Sequence, residues 1–330
     1  MTTRGATRVG VREVAARAGV SSQTVSRVLN DHPHIRDETR GRVLEAMAAL
    51  GYRVNNAARS LGTATTRTLG VLASDAALYG PAVGIAALET AARTAGRWIA
   101  TAYADAADAA SVSAAAEHLL AQGVDGIVVV APHARTLETL AGLGLPVAEL
   151  HGGPGAQRQR DGAAAAVRHL VDLRHTRIAH LAGPADWREA AARDAGVREA
   201  LAAAGLAPGP RWEGDWSAAA GARRAAEVAA AVRAPGGPTA IVVANDQMAL
   251  GLMAALADIG LAVPGDLSIA GFDDNPDAAY YRPALTTVRV DIDGEARRCI
   301  GEVLGLPEVD APAPPLVVAR ASTAPPTPLS

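Results

Sequence analysis

Five polar side chains in one short segment, Ser22, Gln23, Ser26, Arg27 and Asn30, share one face if the chain advances 100° per residue. The opposite face carries Val25, Val28 and Leu29. Gln can pair bidentately with adenine and Arg with guanine. Such groups near the start of a helix have the chemistry to read base edges in a major groove. The plainer reading is a solvated polar face on a small helical bundle.

A second set of chemical groups follows short apolar runs. Ser74 and Asp75 follow 68–73, Asn245 and Asp246 follow 240–244, and Asp273 and Asp274 follow 269–272. Arg193 lies in a helical stretch after 181–184, and Trp216 is one of only four tryptophans. Carboxylate, amide and guanidinium groups beside an aromatic face suit a sugar. Its hydroxyls need paired donors and acceptors, and its C–H faces pack on rings. A lone Asp or Asn in such a place is more simply a cap or a turn residue. Their recurrence at several strand ends is what points to a ligand.

The elements that must position these groups can be read from periodicity. Val11, Val14, Ala15 and Ala18 form a helical stripe, and Gly19 sits where a helix end needs left-handed angles. Ser21 is the N-cap expected for a second helix from about 22 to 30. A third helix, expected to be capped near Asp37, turns Val43, Leu44, Met47 and Leu50 inward and ends at Gly51. Val14, Val25, Leu29, Leu44 and Met47 are expected to close the core. The following segment, 52–62, could form under two turns of helix, too few to persist alone in water. It reads either as a linker or as a hinge that folds on DNA and wedges Leu61 into the minor groove.

Beyond residue 65, strands are expected at 68–73, 98–103, 126–130, 147–150, 177–181, 240–243 and 268–271. Helices, for example 114–122, 190–203 and 221–232, fall between them. This alternation predicts an α/β body of two doubly wound lobes with parallel sheets. Ligands in such sheets bind beyond the carboxyl ends of the strands. An all-α helix-turn-helix head precedes the body.

The charge divides the same way. The net charge of −3 hides 10 Arg against 5 Asp and Glu in residues 1–65, and 21 Arg against 29 acids in the rest. A basic head on an acidic body suits a nucleic-acid partner for the head alone. No apolar run approaches the ~18 residues of a membrane span. The first residues lack the apolar stretch of a signal peptide. A single cysteine, Cys299, allows no intrachain disulfide. A cytoplasmic protein is therefore expected. The sequence has no G-x-G-x-x-G after its strands, no P-loop, no H-E-x-x-H and no G-x-S-x-G, and its histidines lack metal-ligand spacing. Catalysis is not expected, nor any cofactor besides a small sugar effector.

Residues 11–30, continuing through Thr39, Arg40, Ala46, Met47, Gly51, Tyr52 and Leu61, resemble the head of the lac-repressor family. The body resembles the same family at 181–184 (Leu-Ala-Gly-Pro), 213–217 (Glu-Gly-Asp-Trp-Ser), 243–251, 271–274 (Gly-Phe-Asp-Asp) and 283–287. The resemblance implies base reading by Ser22, Gln23 and Arg27. It also implies further DNA contacts from Ser21, Ser26, Asn30, His34, Thr39 and Tyr52, and a minor-groove role for Asn55, Arg59 and Leu61. Val54 departs from the proline of the family's type member. For the body the resemblance implies a periplasmic-binding-protein-like fold with effector contacts from Ser74, Leu78, Pro81, His151, Arg193, Trp216, Asn245 and Asp273. His151 stands where the type member has aspartate, Val130 where it has asparagine, Val290 where it has glutamine and Ile292 where it has phenylalanine.

The domain division implied is a head at 1–54, a hinge at 55–65, an N-terminal lobe of 66–165 plus 290–320, a C-terminal lobe of 166–289 and a tail. No leucine heptads follow the body, so a homodimer without a tetramerisation tail is expected. Two heads would read a pseudo-palindromic double-stranded operator. The expected function is transcriptional repression of sugar-utilisation genes, relieved by a small sugar inducer, with a galactoside favoured. Sugar in the cleft would separate the paired hinges, which would then unfold. The alternatives are a same-fold regulator needing a corepressor and a sugar-binding transport protein.

Overall fold

The computed structural model describes residues 9–30, 32–52, 65–307 and 309–327. The chain divides into two compact units, Met1–Arg67 and Thr68–Ser330. The hinge residues Asn55, Arg59 and Leu61, and the departure at Val54, lie outside the described residues.

The head contains α1 (Val11–Ala18), α2 (Ser22–Leu29) and α3 (Asp37–Leu50). Gly19 ends α1 with φ 65°, and the Gly19 and Val20 N–H groups turn back to the Ala16 and Ala15 carbonyls. Only glycine takes this left-handed angle without a Cβ penalty. Ser21 then caps α2, its Oγ accepting from Thr24 N at 3.1 Å. Val14, Ala15, Ala18, Val25, Val28, Val43 and Ala46 are buried together, with Leu29, Met47 and Leu50 half-buried against them.

Two expectations for the head need correction. Leu44 is 51% exposed rather than in the core, because Val43 and Ala46 already fill the inward stripe of α3. Asp37 is the first residue of α3, not its cap. The capping position belongs to Arg36, which makes no side-chain cap bond, and the acids Asp37 and Glu38 sit in the first turn. There they complement the helix dipole.

The body carries two parallel four-stranded sheets. The first has the order β2-β1-β3-β4, built from β1 (Thr68–Ala73), β2 (Trp98–Tyr103), β3 (Ile127–Val130) and β4 (Val147–Glu149). The second has the order β6-β5-β7-β8, built from β5 (Ile178–Ala182), β6 (Arg211–Glu213), β7 (Ala240–Val243) and β8 (Ser268–Ala270). In each, the first strand in sequence is central and the chain winds outward to both sides. That creates a switch point at the carboxyl ends of β1 and β3, and another at β5 and β7, where such sheets hold ligands.

Helices cover both faces. In chain order they are α4 (Tyr79–Thr94), α5 (Ala109–Ala121), α6 (Ala134–Leu140), α7 (Ala156–Asp172), α8 (Arg188–Ala203), α9 (Ala218–Arg233), α10 (Asp246–Asp258) and α11 (Ile292–Leu304). A pair of antiparallel strands, β9 (Thr287–Arg289) and β10 (Leu316–Val318), completes the body. These strands, and β6, were not expected from the sequence: each has three residues, and β6 and β9 are mostly polar or charged where β4 and β8, equally short, lie in apolar runs.

The chain crosses between lobes more than once. After β4 it enters the second lobe, where Ala163, Ala166, Val167 and Leu170 of α7 pack with Ile178, Val242 and Phe272. After β9 it returns, and Ala296, Cys299, Ile300 and Val303 of α11 pack with Leu69, Leu88 and Val128. It then crosses back to pair β10 with β9. The expected boundaries at 165 and 320 thus differ from the packing: α7 runs unbroken past 165, and β10 sits with the second lobe, because a helix or a strand pair buries its apolar face as a unit.

Candidate functional site

Two places bring functional side chains together. The first is the outer face of α2. Ser22, Gln23, Ser26 and Arg27 are exposed along it, while Val25 and Val28 are buried behind. Asn30 is the C-cap of α2 and half-buried; it turns its N–H back to the Ser26 and Val28 carbonyls. Ser21 is exposed but already engaged as the cap. His34 is exposed, and Thr39 and Tyr52 are half-buried, Tyr52 against the head core. The face therefore offers one amide, one guanidinium and two free-standing hydroxyls from a rigid support. That set can bond to base edges and phosphates.

The second place is a cleft between the two lobes of the body. Leu78, Gly80 and Pro81 line it from the start of α4, and His151 from beyond β4. Trp187, Glu189 and Arg193 line it from the entry and first turns of α8, Trp216 from beyond β6, and Asn245 and Gln247 from the start of α10. Asp273 follows β8, and Val290 and Ile292 lie where the chain crosses back. Seven of the expected effector residues thus share one wall: Leu78, Pro81, His151, Arg193, Trp216, Asn245 and Asp273. Ser74 does not. It is buried at the end of β1, with its N–H directed at the Val130 carbonyl. Val130 is likewise a core residue of the first lobe.

Backbone strain marks the strand ends, and three of the strained residues, His151, Trp216 and Asp273, line this cleft. Asp75, Ala131, His151, Trp216, Asp273 and Asp274 all have φ between 49° and 107°. Each follows a strand. Non-glycine residues adopt such angles at a cost of about 1–3 kcal/mol and keep them only where the surroundings enforce them. Trp216, a bulky residue at φ 71°, is held by Asn245. The Asn245 amide donates to the Trp216 carbonyl at 3.0 Å, and its Oδ1 accepts from Met248 N as the cap of α10. The Trp216 ring lies directly over Gly183, where any Cβ would collide with it. The Leu-Ala-Gly-Pro strand end is thus a seat for a tryptophan.

Arg193 is fixed from every side. Its Nε donates to Gln159 Oε1 at 2.8 Å, one terminal nitrogen donates to the Ala244 carbonyl at 2.5 Å, and the other meets Asp273 at 3.0 Å. The guanidinium stacks 3.9 Å from the Phe272 ring and lies 5.5 Å from that of Trp216. Trp187 and Trp216 meet edge to face at 5.4 Å. Trp187 also bridges to His133 of the first lobe, with ring centroids 4.9 Å apart and a one-residue antiparallel β-bridge. Beside it Arg188 meets Glu149 at 2.9 Å, so the lobes are clasped at this edge of the cleft.

Burial sets the protonation states. The His151 imidazole is pushed down to about 4, first by loss of water and then by Arg193, so it is neutral near pH 7. Burial lifts Glu189 to about 7, against the pull of Arg193. Asp273 is also raised by burial, again opposed by Arg193. Two buried polar atoms on this wall, His151 Nδ1 and Trp216 Nε1, have no hydrogen-bond partner. Buried donors and acceptors are normally satisfied, so their orphaning indicates a place for a polar guest. Among the described residues, no cluster of three or more His, Cys, Asp or Glu is arranged to hold a metal.

Sequence reasoning missed Glu189, Trp187 and Gln247. Trp187 and Glu189 precede and begin α8, and the sequence shows only that a helix starts there. Gln247 follows the Asn-Asp pair in the α10 start, one turn position beyond the residues singled out.

Residues 11–55 match the family model for bacterial regulatory proteins of the lacI family, and residues 167–323 match a periplasmic binding protein-like domain. The lactose operon repressor of Escherichia coli (strain K12) is 36% identical over 293 residues, covering 86% of this chain and 80% of that protein. The chain belongs to the lacI family. It is a DNA-binding transcriptional regulator, and its curated relatives are regulators rather than enzymes. Among solved structures, a lac repressor dimer bound to operator and the anti-inducer ONPF matches with a TM-score of 0.77 and 32% identity, over 96% of this chain and all of that one. A complex of the transcriptional regulator CelR with cellobiose matches at 0.65 and 25%, again over 96% of this chain and all of that one. The lacI-family head accounts for the polar face of α2, and the binding-protein-like body for the cleft. No helix among the described residues is long and apolar enough to cross a membrane.

Proposed function

We propose that this lacI-family regulator is a cytoplasmic repressor of sugar-utilisation genes, released from its operator when a small sugar enters the cleft. The cleft wall carries this reading: a fixed guanidinium, carboxylates, an amide, an imidazole and two tryptophan faces converge there, with two buried polar atoms left unpaired. Hydroxyls arrayed around a ring satisfy such a set, and the ring's C–H faces pack on the indoles. The solved relative in complex with cellobiose supports a saccharide as the ligand class. A galactoside is favoured by the likeness to the lactose operon repressor.

On the DNA side, Gln23 and Arg27 read base edges and Ser22 and Ser26 assist, with the head's basic charge holding the backbone. The protein acts as a homodimer on a pseudo-palindromic site. Support comes from the dimeric lac repressor structure and from apolar groups left uncovered on the body. β2 is an edge strand with Trp98 66% and Tyr103 62% exposed, and Tyr280 on the second lobe is 76% exposed.

The test is gel-shift affinity for DNA upstream of the protein's own gene, at fixed salt, with and without galactosides, glucosides and cellobiose. Tight binding relieved by one of them is expected. Binding strengthened by a ligand would make the protein a corepressor-dependent regulator instead.

A further inference from the structure

Resting on the sugar reading above, the charge around the cleft narrows the class of ligand and adds a residue that the resemblance did not supply. Glu189 faces the cleft with its side chain 12% exposed. Its nearest cation is Arg193, at 3.9 Å, too far for a hydrogen bond. Arg193 is already committed to Asp273, Gln159 and the Ala244 carbonyl. Glu189 and Asp273 therefore share one guanidinium whose three nitrogens are all engaged. Among the described residues, no second cation lies within ion-pair distance of Glu189. On the far side of His151, Glu295 pairs with both Arg158 and Arg298, and Arg298 also pairs with Glu302, so that group balances itself. His151 itself brings no charge.

We propose that Glu189 is a ligand-contacting, specificity-determining residue that takes a hydroxyl of an uncharged sugar and bars phosphorylated and carboxylated sugars from the cleft. A hydroxyl donates to the Glu189 carboxylate while accepting from the Trp216 indole N–H or from the His151 ring, which satisfies the groups left open. A phosphate or uronate would instead set an anion against two acids in a site shielded from water, where like charges repel strongly. Burial raises the protonation range of Glu189, Arg193 offsets this only in part, and the neighbouring Asp273 adds to it.

The experiment is calorimetric titration of the full chain at pH 8. The probes are methyl β-galactoside, lactose, cellobiose, galactose 6-phosphate, glucose 6-phosphate and galacturonate. Each is run against the wild type and Glu189→Gln. Binding of one or more uncharged sugars is expected, with each anionic probe at least roughly 100-fold weaker, which corresponds to about 2.7 kcal/mol. In Glu189→Gln the uncharged sugar should weaken by about tenfold or more while the gap to its anionic counterpart shrinks by a similar factor. A merely structural role for Glu189 would weaken all probes alike and leave that ratio fixed. Tighter binding of a sugar phosphate or uronate by the wild type, or an unchanged ratio in the variant, would overturn the inference while leaving the sugar reading in place. No binding of any probe would remove the sugar reading, and this inference with it. Circular dichroism of the variant confirms that it folds.

Discussion

The polar face of α2 and the wall of the cleft differ in how much of the chain each needs. α2 presents its four exposed polar groups from six consecutive residues, 22–27, on regular backbone. The cleft draws its wall from residues between 78 and 292, and three of those residues sit at positive φ. A surface meant to slide into a groove needs only a rigid rod with the right side chains. A site meant to enclose a small polar molecule must bring donors and acceptors in from several directions. It can do so only from strand ends, where the backbone leaves the ladder and can be bent. The head thus concentrates its chemistry in one local element, and the body distributes it over a topology.

If that contrast is right, single substitutions in the cleft should change fold stability, in either direction, as well as function, whereas those on the α2 face should cost function alone. The largest effect is expected for Arg193→Ala. It strips the partner from buried Asp273, empties the slot between Phe272 and Trp216, and leaves Gln159 and the Ala244 carbonyl unpaired. Removing one half of a buried ion pair costs about 3–5 kcal/mol. Denaturant unfolding of the body should show a loss of that order, together with loss of any sugar response. A variant with wild-type stability would mean that the cleft polar network is not under structural tension.

A pH series sharpens the same point. Glu189 is raised in the folded protein to about 7 from an ordinary value of 4.5. Between these values the folded state holds a proton that the unfolded chain has lost, so this group makes stability fall as pH rises. The penalty is absent below about pH 4.5, and it is complete above about pH 7. Its upper bound is about 3 kcal/mol from the size of the shift. Glu189→Gln carries no such penalty and should be more stable than the wild type at pH 8, with the difference vanishing near pH 4.5. His151 works in the opposite sense, since its folded value is lowered to about 4; its contribution is complete above pH 6.5 and lost on acidification towards 4. It is common to both proteins and cancels from the comparison. A difference that does not change with pH would show that Glu189 carries its charge unstrained.

Smaller again, and without a stability cost, is Arg27→Ala on the exposed face of α2. The loss of one bidentate base contact should weaken operator binding by about 1–3 kcal/mol and relax the preference at one base pair per half-site. The melting temperature should stay unchanged. Uniform weakening on all DNA sequences would make Arg27 a phosphate contact instead.

The same contrast explains what the sequence could and could not reveal. The three head helices were legible because an apolar stripe, a left-handed glycine and a serine cap all act within a few residues. Leu44 was misplaced because the pattern counts apolar residues without knowing that Val43 and Ala46 already fill the gap. Strands inside apolar runs were legible, from β1 and β2 down to the three-residue β4 and β8, whereas β6 and β9, whose three residues are mostly polar or charged, were not. In the cleft, Trp216, Asn245 and Asp273 stood out by type and by following a strand. Glu189 did not, because an acid in the first turn of a helix is ordinary, and only the fold shows that this one faces inward beside Asp273 without a cation of its own.

Ser21 lies at the border between the two kinds of site, and its substitution is the smallest of these effects. It is exposed within the DNA-reading segment, yet its Oγ accepts the Thr24 N–H and lies 2.9 Å from the Thr24 hydroxyl. Its role is therefore to hold the first turn of α2, and the base-reading side chains follow from that turn. Ser21→Ala should cost about 1 kcal/mol of head stability, as cap losses do. Because the cap acts on the whole helix, operator and nonspecific DNA should both weaken, by a similar factor, and Ser21→Asp should restore the cap bond and the head's stability. The Asp variant places a negative charge against the phosphate backbone, so stability should return without full DNA affinity. If alanine instead removed only operator affinity and left the head's melting temperature untouched, Ser21 would be a reader of DNA and not a support for the readers.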